Sequence, residues 1–341
     1  MTHLPRPLAT IVVTQRDRFG LAVQSFDTLL QETPGDLELI YVDGGAPRHI
    51  GDALKERCEA RGFRYIRHDR YLTPNQARNI GQRAAETKYV VFIDNDVIVA
   101  PGWLDALVSC AEDTGAEIVT PLICQNLPVH QEVHQAGGEF SDDPEEFFNG
   151  PVEARRITDR HTHQGEMVTE LDLRRRPVQN SEFHCVLARR EIFALWGDLD
   201  EGLMATKEHI DFCMTVQKNG GRVILEPASV VTFVFPCREH PVHLEDWPYF
   251  ALRWSPTWQR KSLEHFREKW SLHGDPYFEQ RWKLLNWRHR DGLAKPLLRK
   301  VPFLGNSYKF RSLGAGMMAP FLAIWSSWLA ARNKPYASVR S

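Results

Sequence analysis

The chain has 341 residues, 43% of them hydrophobic and 25% charged, which is an ordinary globular balance. Disordered, collagenous and multi-spanning membrane classes are excluded, and the length suits about two domains. The net charge of −2 hides an asymmetry: residues 1–235 hold 24 Lys/Arg against 36 Asp/Glu, and residues 236–341 hold 18 against 8 with eight of the ten Trp. An acidic first part gives no field for nucleic acid and sets it apart from the basic, Trp-rich remainder.

Strands and helices alternate along the first hundred residues. Residues 9–14 (ATIVVT) are a β-branched run, followed by a helical pattern through Leu21, Phe26, Leu29 and Leu30. Residues 37–42 form a second strand ending at Asp43-Gly44-Gly45, and a helix covers 48–61. Residues 63–67 read as a third strand. Thr73-Pro74-Asn75-Gln76 then opens a helix, with Thr as N-cap, Pro at the first helical position and Gln closing a capping box. Residues 89–93 (YVVFI) are nearly all apolar, as a strand buried on both faces requires. This alternation predicts a mostly parallel sheet covered by helices. Residues 141–180 are polar and read as a mobile loop or lid. A helix is expected near 208–219, ended by Gly220-Gly221, with a strand at 222–225.

Ligands of such sheets sit at the carboxyl ends of the strands. There the chain places Thr14 and Arg16, then Asp43, then Asp94-Asn95-Asp96. Two carboxylates after a buried strand suit one hard divalent cation, Mg²⁺ or Mn²⁺, with a diphosphate as its counter-ligand. The plain alternative is a turn whose aspartates cap the next helix.

TIVVTQRDR at 10–18, YVDGGA at 41–46, NQARNIG at 75–81, VVFIDNDVIVAPGWL at 90–104 and KEHIDFCMTVQKNGG at 207–221 together resemble the GT-A glycosyltransferases of family 2. The resemblance covers roughly residues 8–235. It implies an α/β, Rossmann-like fold with a mixed, mostly parallel sheet: a nucleotide-sugar-binding half (1–120), an acceptor-binding half (121–235) and a helical C-terminal extension (236–341). It implies a transferase using a nucleotide-diphosphate sugar, UDP by resemblance, and a hydroxyl of a glycan or glycolipid acceptor, as in polysaccharide biosynthesis. Thr14 and Arg16 are expected near the nucleobase and diphosphate, Asp43 at the uracil or ribose, and Arg78 and Asn79 along the donor pocket. Asp94 and Asn95 are expected at the ribose or sugar, and Asp96 at the cation. The general base is expected in Glu208-His209-Ile210-Asp211, where His209 stands at the place of the usual acid. Glu208, His209 and Asp211 all remain open for that role. Phe233 stands where the family often has a metal-ligating His, so the expectation is either that His240 or His243 replaces it or that Asp96, phosphates and water hold the cation. The missing second Asp after Asp43, together with His209 and Phe233, leaves a second reading: a catalytically impaired sugar- or nucleotide-binding protein.

The other features read plainly. The pairs His130/His134 and His161/His163 could each bind a metal, but the plainer expectation is polar surface residues, and Arg174-Arg175-Arg176 is expected as a solvated run or a clamp on diphosphate. Trp196 reads as either core or sugar platform. The six cysteines show no metal or disulfide spacing and are expected as buried thiols. The N-terminal stretch has no signal-peptide core, so a cytoplasmic protein is expected, peripheral on the cytosolic face of a membrane. Residues 312–331 carry no charge and are flanked by Arg311 and Arg332. The expectation is an interfacial helix on an anionic leaflet, with a spanning, buried or dimer-forming helix as alternatives. The oligomeric state stays open.

Overall fold

The computed structural model describes residues 7–234 and 242–333. The first half follows the expected alternation: β1 (Ala9–Thr14), α1 (Ala22–Glu32), β2 (Glu38–Gly44), α2 (Arg48–Ala60), β3 (Arg64–His68), α3 (Pro74–Ala84), β4 (Tyr89–Asp94), β5 (Val97–Val99) and α4 (Trp103–Thr114). A second set follows with β6 (Ile118–Gln125), β7 (Glu132–Gln135), β8 (Gly138–Glu139), α5 (Pro144–Asn149), β9 (Arg160–His161), β10 (Arg176–Val178), β11 (Cys185–Arg189), α6 (Glu191–Trp196), α7 (Glu208–Lys218) and β12 (Val223–Phe233). The remainder is helical: α8 (Trp247–Arg253), α9 (Pro256–Lys269), α10 (Tyr277–Lys283), α11 (Trp287–His289), α12 (Lys295–Arg299) and α13 (Tyr308–Arg332).

The main sheet runs β10-β12-β6-β11-β4-β1-β2-β3, with β5 on β12 and β7 on β6. Strands β3, β2, β1 and β4 are parallel neighbours. β11 enters between β4 and β6 antiparallel to both. Alternate residues of β1 and β4 feed opposite faces: Ile11, Val13, Val91 and Ile93 face α1 and α4, and Val12, Val90 and Phe92 face the other side. Burial on both faces is what the continuous apolar runs encode.

α3 begins with the expected capping box, Thr73 accepting from the Gln76 amide and the Gln76 side chain accepting from the Thr73 amide. A Cβ at Gly81 would lie 2.1 Å from Cγ1 of Val12, so glycine lets α3 sit directly on β1. That close approach carries Arg78 to the tip of β4.

One expectation is corrected here. Residues 141–180 form α5, β9 and β10, and Phe140, Phe147 and Ile157 are anchored in an apolar cluster with Ile210, Met214, Leu263, Phe266 and Trp270. The polar composition hid these anchors because they are single residues without period. Helices α8, α9 and α10 pack on the α/β body through that same cluster and through Leu252 and Trp258 against Ala205. Each such buried aliphatic or aromatic side chain contributes roughly 1.5–3 kcal/mol. Cys58, Cys110, Cys124, Cys185 and Cys213 are buried free thiols, and Cys237 lies outside the described residues.

Candidate active site

The sheet topology brings the site together. β4 ends at Asp94, and β11 runs antiparallel beside it, so the residues preceding β11 meet the residues ending β4. The Asp94 amide donates to the His184 carbonyl at 3.1 Å, which sets the two side chains side by side. β12 ends at Phe233 on the partner strand β5, and the Val234 amide donates to the Asp96 carbonyl.

Asp94 is wholly buried and accepts from Arg78 at 3.1 Å and from Arg16 at 3.4 Å, with His184 Nδ1 at 3.3 Å. Burial disfavours its charge, but His184, Arg78 and Arg16 outweigh that and hold the carboxyl below its ordinary range. Asp96 is equally buried, and among the described residues neither of its carboxylate oxygens has a hydrogen-bond partner. Burial pushes its pKa up to about 7, with Arg18 opposing and Asp94 adding to the rise. Asp94, Asp96 and His184 offer ligand atoms within 4.8 Å of one another. The ring of Phe233 stacks on His184 with centroids 3.9 Å apart and fixes its plane.

Next to this cluster lies a cavity of about 280 Å³. Its floor carries Arg16, Glu182, His161 and His209, and its roof carries Arg253, Trp254, Arg281 and Arg288 from the C-terminal helices. Glu182 is the hub: His184 at 3.3 Å and Arg16 at 3.6 Å face one oxygen, and His161 at 3.4 Å and His209 at 3.9 Å face the other. Burial raises the cost of its charge, yet His209 and the hydrogen bonds from His161 and His184 hold its pKa well below the ordinary carboxylate value. His209 is pushed down by burial against the pull of Glu182, Asp159 and Glu208, which favours the neutral imidazole. His134 packs edge-on against His161 and His184, and burial drives its pKa down to about 3. His134, His161 and Glu182 form a second potential ligand group.

The sequence-derived residues divide into several groups. Arg16, Glu208 and His209 line the cavity. Thr14, Asp94 and Asp96 are buried at the strand tips. Arg78 holds Asp94 and lies under Phe183, 3.9 Å from the ring centroid. Asn95 and Asn79 are positioning residues. Asn95 accepts from the Arg16 amide and donates to the Arg18 carbonyl, and Asn79 clamps Leu199 and Glu201. Glu208 is ion-paired to Arg253 at 2.9 Å, and Arg253 and Arg78 overcome burial to lower its pKa.

Three of the expected residues lie away from the cavity and the Asp94–Asp96–His184 cluster. Asp211 turns to Lys269 at 2.8 Å and the Trp270 indole at 2.8 Å, because α9 covers that side of α7. Asp43 shares the sheet edge, but it is occupied by Arg67, by the Tyr65 hydroxyl at 2.5 Å and by the Ala46 amide at 2.7 Å, and it does not line the cavity. His243 is exposed beside Gly20 and Asp246, outside the Asp94–Asp96–His184 cluster, and His240 lies outside the described residues. His134 and His161 are cluster members and not surface residues. By contrast, His130 binds the Thr232 hydroxyl, Trp196 packs on the second core face, and Arg175 pairs with Glu226 and Asp113 away from the cavity.

Glu182 and His184 escape a sequence reading that takes the polar residues following each strand. In an antiparallel strand the residues before it reach that same edge, so the pattern Glu-Phe-His before CVLA was the available signal. Asp159 and Lys207 give no such signal. Lys207 takes a left-handed conformation (φ +72°) and its ammonium reaches the buried Asp159.

Comparison with known proteins agrees with this geometry. The model of the family described as Glycosyl transferase family 2 matches residues 10–194, more than half of the 341 residues. The uncharacterized glycosyltransferase EpsJ of Bacillus subtilis (strain 168) is 28% identical over 113 residues, 33% of this chain and 33% of the relative. The pre-mycofactocin glycosyltransferase of Mycobacterium tuberculosis (strain ATCC 25618 / H37Rv) is 25% identical over 213 residues, 62% of this chain and 39% of the relative. The chain thus spans between a third and two fifths of the length of these curated relatives. The crystal structure of GalNAc-T7 with UDP, GalNAc and Mn²⁺ superposes with a TM-score of 0.53 at 15% identity, covering 86% of this chain and 57% of that one, a likeness of fold. From strand tips to sheet order to family model, the chain belongs to glycosyl transferase family 2.

Proposed function

We propose that the chain transfers a sugar from a nucleotide-diphosphate sugar, with UDP as the nucleotide, to a hydroxyl of a glycan or glycolipid acceptor, with inversion. The observation that carries this is Asp96, a wholly buried carboxylate beside Asp94 and His184 whose two oxygens have no hydrogen-bond partner among the described residues. A buried, unsatisfied carboxylate is costly unless a ligand completes it. The donor set of two carboxylates and an imidazole fits Mn²⁺ or Mg²⁺, and a solved structure of the same fold was crystallised with UDP and Mn²⁺. When bound, such a cation neutralises charge on the departing diphosphate. Arg16, held over Phe233 and against Asp94, supplies a fixed positive charge at the same place.

His209 acts as the base. It takes the proton of the acceptor hydroxyl as that oxygen bonds to the anomeric carbon and the carbon–oxygen bond to the diphosphate breaks. Glu182 then stabilises the imidazolium, as a carboxylate beside a catalytic imidazole does. Asp211, bound by Lys269 and Trp270, has no part in the transfer. A glycolipid acceptor and a peripheral position on a membrane belong to the same proposal.

The test is transfer from a panel of UDP-sugars with Mn²⁺, beside direct Mn²⁺ titration read by electron paramagnetic resonance. Asp96→Asn is expected to weaken cation binding and turnover by about 10²-fold. His209→Gln is expected to lower kcat by about 10²–10⁴-fold with cation and nucleotide binding intact. Tight nucleotide binding with no turnover in the wild type overturns the enzyme reading in favour of a binding protein. Full activity of His209→Gln moves the base to Glu182.

A further inference from the structure

The outer face of α13 is apolar and uncovered. Leu313, Met317, Phe321 and Ile324 are 71%, 68%, 74% and 70% exposed, and Trp328 is 48% exposed. At 100° per residue these five fall on one stripe. Ahead of the helix, Leu297 of α12 and Val301, Phe303 and Leu304 of the turn after it are exposed as well; Phe303 is fully exposed, with a left-handed φ of +62°. Singly exposed apolar residues are ordinary, but a contiguous stripe of this length marks an interaction surface.

The charges beside the stripe have one sign. Arg299, Lys300, Lys309 and Arg332 are exposed, and residues 292–333 contain no Asp or Glu. Arg332 folds back over Trp328, 4.0 Å from the ring centroid, at the end of the stripe. Lysine and arginine beside an apolar stripe with a terminal Trp are the elements of a bilayer interface.

The opposite face of α13 is taken. Ala315, Leu322 and Ser326 are buried, and Met318, Trp325 and Leu329 pack against Phe250, Ala251, Trp254, Leu293 and Ala294. The side-chain Nδ2 of Asn333 donates to the Tyr71 carbonyl at 2.8 Å and ties down the far end. A helix of 25 residues, only 17% buried in its most apolar window, is long enough to cross a membrane, but spanning requires lipid on every side. Crossing would strip α13 from α8, α9 and α12. Lying flat leaves that packing whole. A symmetric pairing with a second copy would bring equivalent basic residues together without acidic partners, whereas an anionic leaflet complements them.

We infer that the outer face of α13, with the 297–304 turn, docks flat on an anionic lipid surface, with Phe303, Leu313, Met317, Phe321 and Ile324 entering the headgroup–acyl boundary and Lys300 and Lys309 on the headgroups. This deepens the membrane partner named in the proposed function. Vesicle binding is read without sugar transfer, so either reading can fail alone.

The test is flotation of the full chain with vesicles of phosphatidylcholine alone or mixed with phosphatidylglycerol. Binding is expected to the anionic vesicles, weakened as salt rises and accompanied by a blue shift of Trp fluorescence. Phe321→Glu with Ile324→Glu is expected to lower vesicle affinity at least tenfold (an order-of-magnitude estimate) with the melting temperature unchanged, since both side chains are exposed. Lys300→Ala and Lys309→Ala are each expected to lower it roughly fivefold. Three outcomes overturn the inference: vesicle binding indifferent to these substitutions or absent, resistance to alkaline extraction as a spanning helix would show, or a dimer in solution that the same substitutions dissolve.

Discussion

Asp159 shows what one buried carboxylate does at this site. It accepts from Lys207, from the Tyr277 hydroxyl at 2.7 Å and from Arg281 at 3.0 Å, joining the segment before α7 to α10. Burial disfavours its charge, but Lys207 more than compensates, and its pKa lies below the ordinary carboxylate range. A depressed pKa gives stability that is present above the unfolded value, near 4, and is lost as pH falls through the folded value. Asp159→Asn should therefore cost about 3–5 kcal/mol at pH 7 by leaving Lys207 unpaired. The gap to wild type should narrow as pH falls below about 4, measured by urea unfolding across pH. A gap independent of pH would mean that the ion pair is not its source. At this scale the sequence was legible where a carboxylate follows a parallel strand, as at Asp94 and Asp96, and illegible where the partner comes from an antiparallel neighbour, as at Glu182 and His184. Glu208 and Asp211 looked alike in sequence, and only the packing of Lys269 and Trp270 from α9 distinguishes them.

Among the elements, α3 was the most readable, because its capping box and its proline at the first helical position are local chemistry. Its position is not local, and rests on the absence of a side chain at Gly81. Gly81→Ala places a methyl group 2.1 Å from Val12 Cγ1. The expected cost is about 1–3 kcal/mol by overpacking, and Arg78 should move off Asp94. Val12→Ala in the same chain should recover part of the loss, as a thermal melt of the pair would show; two independent, additive losses would rule out the contact. Segment 141–180 was unreadable for the opposite reason. Its strands are two or three residues long, and its helix is fixed by isolated anchors such as Phe147 and Ile157, whose partners lie on α9 and α10. No window of that sequence contains the other half of the contact.

For the molecule as a whole, the charge asymmetry sets residues 1–235 apart from residues 236–341, yet the cavity takes its floor from the first and its roof from the second. The Trp254 indole donates to Asp17 at 3.1 Å across that join, and Arg253 meets Glu208 at 2.9 Å with side-chain exposures of 1% and 5%. Arg253→Met leaves Glu208 buried without its partner and should cost about 3–5 kcal/mol. That lowers the melting point by roughly 10 °C. Calorimetry should show one transition shifting as a unit, because the helices share their core with α7. Two separable transitions would mean that the roof unfolds on its own. The tail's helices were visible as composition and invisible as placement, since cationic residues that line a cavity and cationic residues that face a lipid give the same charge count.

The separation of floor and roof also orders events during synthesis. A ribosome makes the carboxylate tips of β4, the Glu-Phe-His approach to β11 and the imidazole of α7 well before Arg253, Trp254 and Arg288. A nascent chain therefore presents its reactive groups to open water, and the enclosed compartment comes into being only when the last third of the polypeptide has emerged and settled over them.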